Sequence, residues 1–456
     1  MAVSQIDAAS QLGKFLQIVY SNGIRNQISE DFRDWEMVSK FKVSDEAARS
    51  VNFLLQTSLG ANAVQWSAQG SGAAFPSSQK IDSGEKSAGF NEIFTTIELE
   101  YDLWDRAMNS PHKYAGPLET EIRSKGIAQK RRLSIDFHGD GTGLISTAAS
   151  ASVVNTTQIK VVLSDESGER ICEYGDLVAF FAQTGGSTVN VNGVLNYGQV
   201  VEKLREENAI VIAPFTAADV ALTAGEAATA AAALSSSDYM YRRDQPTKAD
   251  LTTAFNGSNE VNNLTEVMPG LESLAASDGR LVHGIVMSGA SAGTSFDASS
   301  ELLDISHIQK AMSKVKNVVG QGRYKYQQLL GSTESMDTFI DSQETDRRLI
   351  SINDEKRGAK GFGYVHGNDT LLLETSEFAR HDRLWMLPAG AKESGVLELH
   401  GKDFKEVKVD GQSTYLKPSS GGGHTPDIRK YMFGVMTLLT KHPAAINQIK
   451  NFTNNA

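Results

Sequence analysis

The chain of 456 residues carries 44 Lys and Arg against 55 Asp and Glu, a formal net charge of −11, with 40% hydrophobic and 22% charged residues. That balance excludes a protein whose main task is gripping nucleic acid through its phosphates, which needs clustered cations, and no apolar run approaches the roughly 18 residues of a membrane span. The single cysteine, Cys172, excludes an internal disulfide and suits a reducing compartment, and the N-terminal residues lack the basic start and apolar stretch of a secretory signal.

Residues 1 to 50 read as amphipathic helix, with Phe15, Leu16, Val19 and Tyr20 at helical spacings before Asn22-Gly23 interrupts them, and a second segment forms around Phe32, Trp35 and Val38. Residues 51 to 60 are strand-like. They lead into Gly70-Ser71-Gly72-Ala73-Ala74-Phe75-Pro76-Ser77-Ser78, which has almost nothing to build a core with and is expected to be a mobile or partner-ordered loop. Next, Ile97-Glu98-Leu99-Glu100-Tyr101-Asp102-Leu103 alternates with period two, so one face of a strand carries three carboxylates. A helix is predicted after Pro117, with Leu118, Ile122, Ile127, Leu133 and Phe137 apolar and Arg123, Lys125, Lys130, Arg131 and Arg132 crowding the remainder. Such a helix is too polar for a buried core. It runs into His138-Gly139-Asp140-Gly141-Thr142-Gly143-Leu144.

After that turn the pattern shifts to short strands over Ile159 to Leu163, Leu177 to Phe181, Val189 to Val194 and Ala209 to Ala213, a small β unit at 158–215. The Ala-rich stretch 218–237 is either a weak helix or a low-complexity connection. From Gly270 the expected order is strand Leu281 to Met287, helix Ile305 to Val318, strand Lys325 to Leu330 and helix Ser332 to Ser342. Strands Leu371 to Glu374 and Leu384 to Leu387 follow, then the glycine loop Ser419 to Gly423 and an apolar run from Tyr431 to Leu439. The class is α+β with irregular connections.

Three motifs invite an enzymatic reading and each has a better one. Gly289-Ala290-Ser291-Ala292-Gly293 has the spacing of a nucleophile elbow, with His381 or His400 as paper partners for Ser291. The elbow needs a helix directly afterwards, and Thr294-Ser295-Phe296-Asp297 reads as loop. Gly139-Asp140-Gly141-Thr142-Gly143 follows a helix where a phosphate loop follows a strand, and Asp140 would repel the anion. The nine histidines never fall at i, i+3 or i+4, so neither metal nor other cofactor is expected.

A glycine-rich loop, an acidic strand and a long basic helix ending in Gly139-Asp140-Gly141 together resemble the extended loop and spine helix of tailed-phage major capsid proteins of the Hong Kong 97 fold. Gly270-Leu271-Glu272-Ser273-Leu274 followed by Gly284-Ile285-Val286 resembles the start of that fold's second half, and His442-Pro443-Ala444-Ala445-Ile446 its last strand. The resemblance implies an N-arm at 1–50, an extended loop at 51–105 and a peripheral domain with the spine helix at 106–157. It further implies an inserted β unit at 158–215, a connection at 216–269, an axial domain at 270–370 and a return through both domains at 371–456. It implies no catalysis: a virion subunit, assembled in the host cytoplasm into hexamers and pentamers around double-stranded DNA. Scaffolding and portal proteins would be its partners, a decoration or cement protein is an option the resemblance leaves open, and no membrane is involved. An encapsulin-like shell is the neighbouring reading. Lys80 and Lys86 lie in the extended loop, but no acceptor for a covalent cross-link is identifiable. The sites expected to bind an adjacent subunit are Glu98, Glu100 and Asp102 on the acidic face and Arg123, Lys130, Arg131 and Arg132 on the helix, with plain solvation the alternative for each.

Overall fold

The computed structural model describes residues 38–42, 50–56, 83–99, 117–139, 141, 143–164, 168–181, 190–191, 194–195, 197–215, 226–236, 238–242, 268–275, 281–282, 285–286, 295–319, 326–344, 349–354, 359–366, 369–388, 396–406, 415–418, 424–440 and 442–454. Most of the N-arm, the glycine-rich stretch at 70–78, Lys80 and the Ser291 motif lie outside them.

A 22-residue helix, Pro117–His138, organises everything around it. Pro117 suits the first helical position, where its missing N–H is no loss. At the other end the Gly139 amide donates to the Asp136 carbonyl at 3.1 Å, and Gly141 and Gly143 take positive φ of 82° and 75°, which an L side chain resists. The helix is less solvated than its composition predicts. Phe137, Ser134, His138 and Gln129 are all buried, so four positions in its C-terminal half carry the packing, Arg131, Arg132 and Asp136 are half-buried, and Lys125 and Lys130 are exposed.

One flank of the helix meets a five-stranded sheet. Its strands come from Ser39–Lys42, Asn91–Leu99, Glu398–Glu406, Tyr415–Pro418 and the 16-residue His424–Leu439, against which three of the others pair antiparallel. The acidic strand thus starts earlier than expected: its described part is Asn91–Leu99, and 100–103 lie outside the described residues. Within it Thr95 and Ile97 face the helix, Thr95 accepting a hydrogen bond from Gln129, while Glu92, Phe94 and Thr96 are exposed on the other side. Against the end of this sheet leans a hairpin of Ser50–Gln56 and Ser83–Gly89, held through Phe53, Ala88 and Leu439.

A seven-stranded mixed sheet forms the second half, in the order 295–297, 447–450, 383–388, 326–331, 369–375, 359–366, 349–354. Helices Ile305–Val319 and Thr333–Glu344 cover one face through Ile308, Met312, Val315, Met336 and Phe339. The opposite face, with Leu330, Trp385 and Leu387, closes over Phe137, Leu271, Leu274, Leu397 and Leu438, so helix, both sheets and the short helix Leu271–Leu274 share one core. Gly270 touches the helix end: a Cβ there would stand 2.2 Å from the Asp136 carbonyl and 2.4 Å from that of Gly139.

Several expectations are corrected. The β unit is a closed six-stranded barrel reaching beyond 158–215: it also takes Leu144–Asn155 and Tyr239–Arg242, the first too rich in Ser and Ala and the second too short to be read as strands. The connection at 216–269 therefore contains barrel structure, and part of 218–237 is a helix, Glu226–Ala233. Its Ala227, Ala230 and Ala231 pack into the barrel core, where the absence of larger side chains permits close approach. Leu281 to Met287 is not one strand but a small hairpin, Leu281–Val282 against Ile285–Val286. Two short strands, Asn190–Val191 and Val194–Leu195, replace the single one expected there. Pro443–Ala445 forms a 3-10 turn, and the last strand is Asn447–Lys450. Residues 371–456 divide between the two sheets.

Candidate assembly interface

The sequence-expected contact residues separate into three groups. Glu100 and Asp102 lie outside the described residues; Glu98 is placed by its backbone, in register opposite Arg429. That arginine, in the strand His424–Leu439, was missed by sequence reasoning because the pairing spans more than 300 positions. Among the helix cations, Lys130 is exposed. Arg131 and Arg132 are engaged at home: Arg132 Nε sits 2.9 Å from Asp136 Oδ2 one turn on, and Arg131 Nη2 sits 2.5 Å from Glu173 Oε1. Arg131 also donates to the Arg170 carbonyl at 3.0 Å and lies 5.1 Å from the Phe378 ring centroid.

That second set ties the barrel to the rest of the chain. Arg170, on the short helix Gly168–Ile171, grips both carboxylate oxygens of Glu334 in the first turn of Thr333–Glu344, Nη1 to Oε2 at 3.0 Å. His381 Nδ1 stands 3.5 Å from the same oxygen. Burial alone would raise the Glu334 carboxyl, but the hydrogen bond from Arg170, a backbone hydrogen bond and the positive charges of His381 and Arg170 outweigh it and hold the group below its ordinary 4.5. Arg170 is raised in turn, chiefly by its hydrogen bond to Glu334. Arg380 Nη2 reaches the Leu144 carbonyl at 3.5 Å. A small cleft between the helix end and the barrel, lined by His138, Gly141, Ile171 and Arg380 among others, has room for a few waters.

Sequence reasoning also missed two aromatic contacts on the five-stranded sheet, one tilted and one stacked. Phe94 and Phe433, register partners, lie 4.9 Å apart between centroids, and Phe94 is 63% exposed. Phe41 stacks on His400, also at 4.9 Å, and is 46% exposed. Phe94 points away from the long helix, since its neighbour Thr95 is the one that meets Gln129. Phe94 stands on Asn91–Leu99, which pairs only with His424–Leu439 among the described residues, and an exposed aromatic ring on such a strand is the kind of surface that a partner covers.

The hydrolase alternative gains nothing. Ser291 is outside the described residues, and its two paper partners are in different sheets. His400 sits in the strand Glu398–Glu406, with Nε2 2.9 Å from Glu398, and His381 precedes Arg383–Pro388 beside Glu334. Among the described residues no group of three or more His, Cys, Asp or Glu could hold a metal ion, and no helix is long and apolar enough to cross a membrane.

No protein-family model and no curated protein matches the chain. Solved structures do. A cyanophage A-1(L) capsid subunit is similar over 97% of this chain and 98% of its own, with 8% identity and a TM-score of 0.49. A chain of Microbacterium phage Oxtober96 is similar over 97% and 98%, with 9% identity and a TM-score of 0.45. The holo-SrpI encapsulin complex of Synechococcus elongatus PCC 7942 is similar over 99% and 98%, with 8% identity and a TM-score of 0.44.

Proposed function

We propose that the chain is a major capsid protein of the Hong Kong 97 fold, a non-enzymatic subunit of the icosahedral head of a tailed double-stranded DNA phage. The carrying observation is the position of Pro117–His138. One long helix underlies a five-stranded sheet bearing a hairpin arm, and its end is built into the core shared with a seven-stranded sheet. In this reading the five-stranded sheet and helix are the peripheral domain, the seven-stranded sheet is the axial domain, and 50–89 is the base of the extended loop. Its partners are copies of itself in hexamers and pentamers, with scaffolding and portal proteins joining them. DNA is enclosed without sequence-specific contact, in keeping with the net charge of −11. It belongs to the virion and assembles in the host cytoplasm.

Electron microscopy of the purified protein, alone and with its scaffold, tests this directly. Closed shells are expected. A stable monomer under all such conditions overturns it, and esterase activity abolished by Ser291→Ala would establish the hydrolase instead. Shells that enclose a protein cargo in the cell, with no DNA, would mark an encapsulin.

A further inference from the structure

The barrel strand Leu144–Asn155, which forms a hairpin with Gln158–Leu163, carries no charge along its whole length. No charged residue occurs from Gly141 to Ile159, in a chain that is 22% charged. The two strands differ in their second neighbours. Gln158–Leu163 is flanked by Ala209–Phe215, whereas Tyr239–Arg242 accompanies Leu144–Asn155 only as far as Thr147. Beyond Ala148, the strand has no second strand neighbour among the described residues, and Ser152 to Thr157 are exposed.

The register makes this more than a solvated tip. Val153 lies opposite Ile159, so both side chains leave the same face of the sheet. Ile159 is 1% exposed in the barrel core, but Val153 is 47% exposed and Val154 51%. The core-facing side of the hairpin thus overruns the barrel, carrying an uncovered valine and an open row of backbone groups. Monomeric proteins normally blunt such an edge with Lys, Pro or a covering element; Ala149 to Thr157 contain neither Lys nor Pro, and among the described residues no strand pairs with the outer side of this stretch.

We propose that this edge pairs antiparallel with the same edge of a second copy, across a two-fold axis. Charge selects that occupant. An uncharged edge offers a foreign protein no electrostatic steering, whereas copies of a chain at −11 repel one another and approach best through their neutral surface. Antiparallel self-pairing is isologous, so each Val153–Val154 step covers its counterpart. The edge is far smaller than the ~1,200 Å² a stable dimer buries, so it holds only when other contacts fix the two copies in place. The inference therefore rests on the shell reading.

Single cysteines at Ser152, Val153 and Val154 test it in particles first seen by electron microscopy. Directly opposed residues of an antiparallel pair have Cα atoms about 4.5–5.5 Å apart, within disulfide reach, and Cys172 is fully buried and does not compete. Mild oxidation should give a disulfide-linked dimer at one of the three positions and little at its immediate neighbours. Val153→Lys should at least halve the yield of closed particles while the soluble subunit keeps its thermal unfolding midpoint. If particles form but none of the three cysteines cross-links, or if Val153→Lys assembles like the parent, the self-pairing is wrong and the shell reading stands. If no particles form at all, the shell reading itself has failed and takes this inference with it.

Discussion

At the scale of single residues, the most informative group is Glu334, because one carboxylate joins the barrel, a helix of the seven-stranded sheet and His381. A carboxyl held below its ordinary value contributes stability that is complete above its unfolded pKa and lost as pH falls through the folded one. The barrel's attachment should accordingly weaken below about pH 4.5, the ordinary value, and not on the alkaline side. Glu334→Gln removes the charge at every pH. Its unfolding midpoint should be lower than the parent's at neutral pH, and the two should converge on acidification. Curves that stay parallel down to pH 3 would show that the pairing contributes nothing. Arg131 and Arg132 teach a related lesson: their sequence position marks them as cations of the long helix, but only the folded neighbours Glu173, Phe378 and Asp136 reveal that they are already occupied.

At the scale of elements, the long helix succeeds through few contacts. Phe137 is its one large side chain in the central core, fully buried among both sheets, and Phe137→Ala should cost about 3–5 kcal/mol in chemical denaturation. Gly270→Ala adds a single methyl but drives it into the backbone carbonyls of Asp136 and Gly139, where nothing flexible can yield. A loss of about 1–3 kcal/mol is expected, read as a lowered denaturation midpoint with unchanged slope. Sequence periodicity located this helix, its end and three strands of the seven-stranded sheet, Tyr326–Gly331, Asp369–Thr375 and Arg383–Pro388, but Ser295–Asp297, read as loop, is a strand, and Leu349–Asp354 and Ala359–His366 were not recognised. It did not locate the barrel's closing strand Tyr239–Arg242, of four residues, or recognise Leu144–Asn155, whose small side chains carry no alternation strong enough to read. Nor did it see Phe94 and Phe433 as a pair, since register across 339 positions is a property of the sheet and not of either strand.

At the scale of the whole molecule, assembly should depend on charges that individually matter little. Exposed ion pairs are worth only about 0–1 kcal/mol, but a closed shell repeats each of them many times. With Arg131 committed to Glu173 and Glu98 in register with Arg429, the test falls on Glu100 and Lys130. Glu100→Lys should reduce particle yield without unfolding the subunit, and adding Lys130→Glu should partly restore it; unchanged assembly across a range of salt would leave the acidic face merely solvated. Mature particles should run as monomers on a denaturing gel, and a ladder of multimers would show a covalent link after all. One arrangement bears on synthesis. The strand Asn447–Lys450 is inserted between Ser295–Asp297 and Arg383–Pro388, so a sheet begun some 150 residues earlier stays split until this late segment has left the ribosome. Truncated products ending before Asn447 should be protease-sensitive and fail to co-assemble with full-length chains, which makes the fold its own proofreader against unfinished subunits.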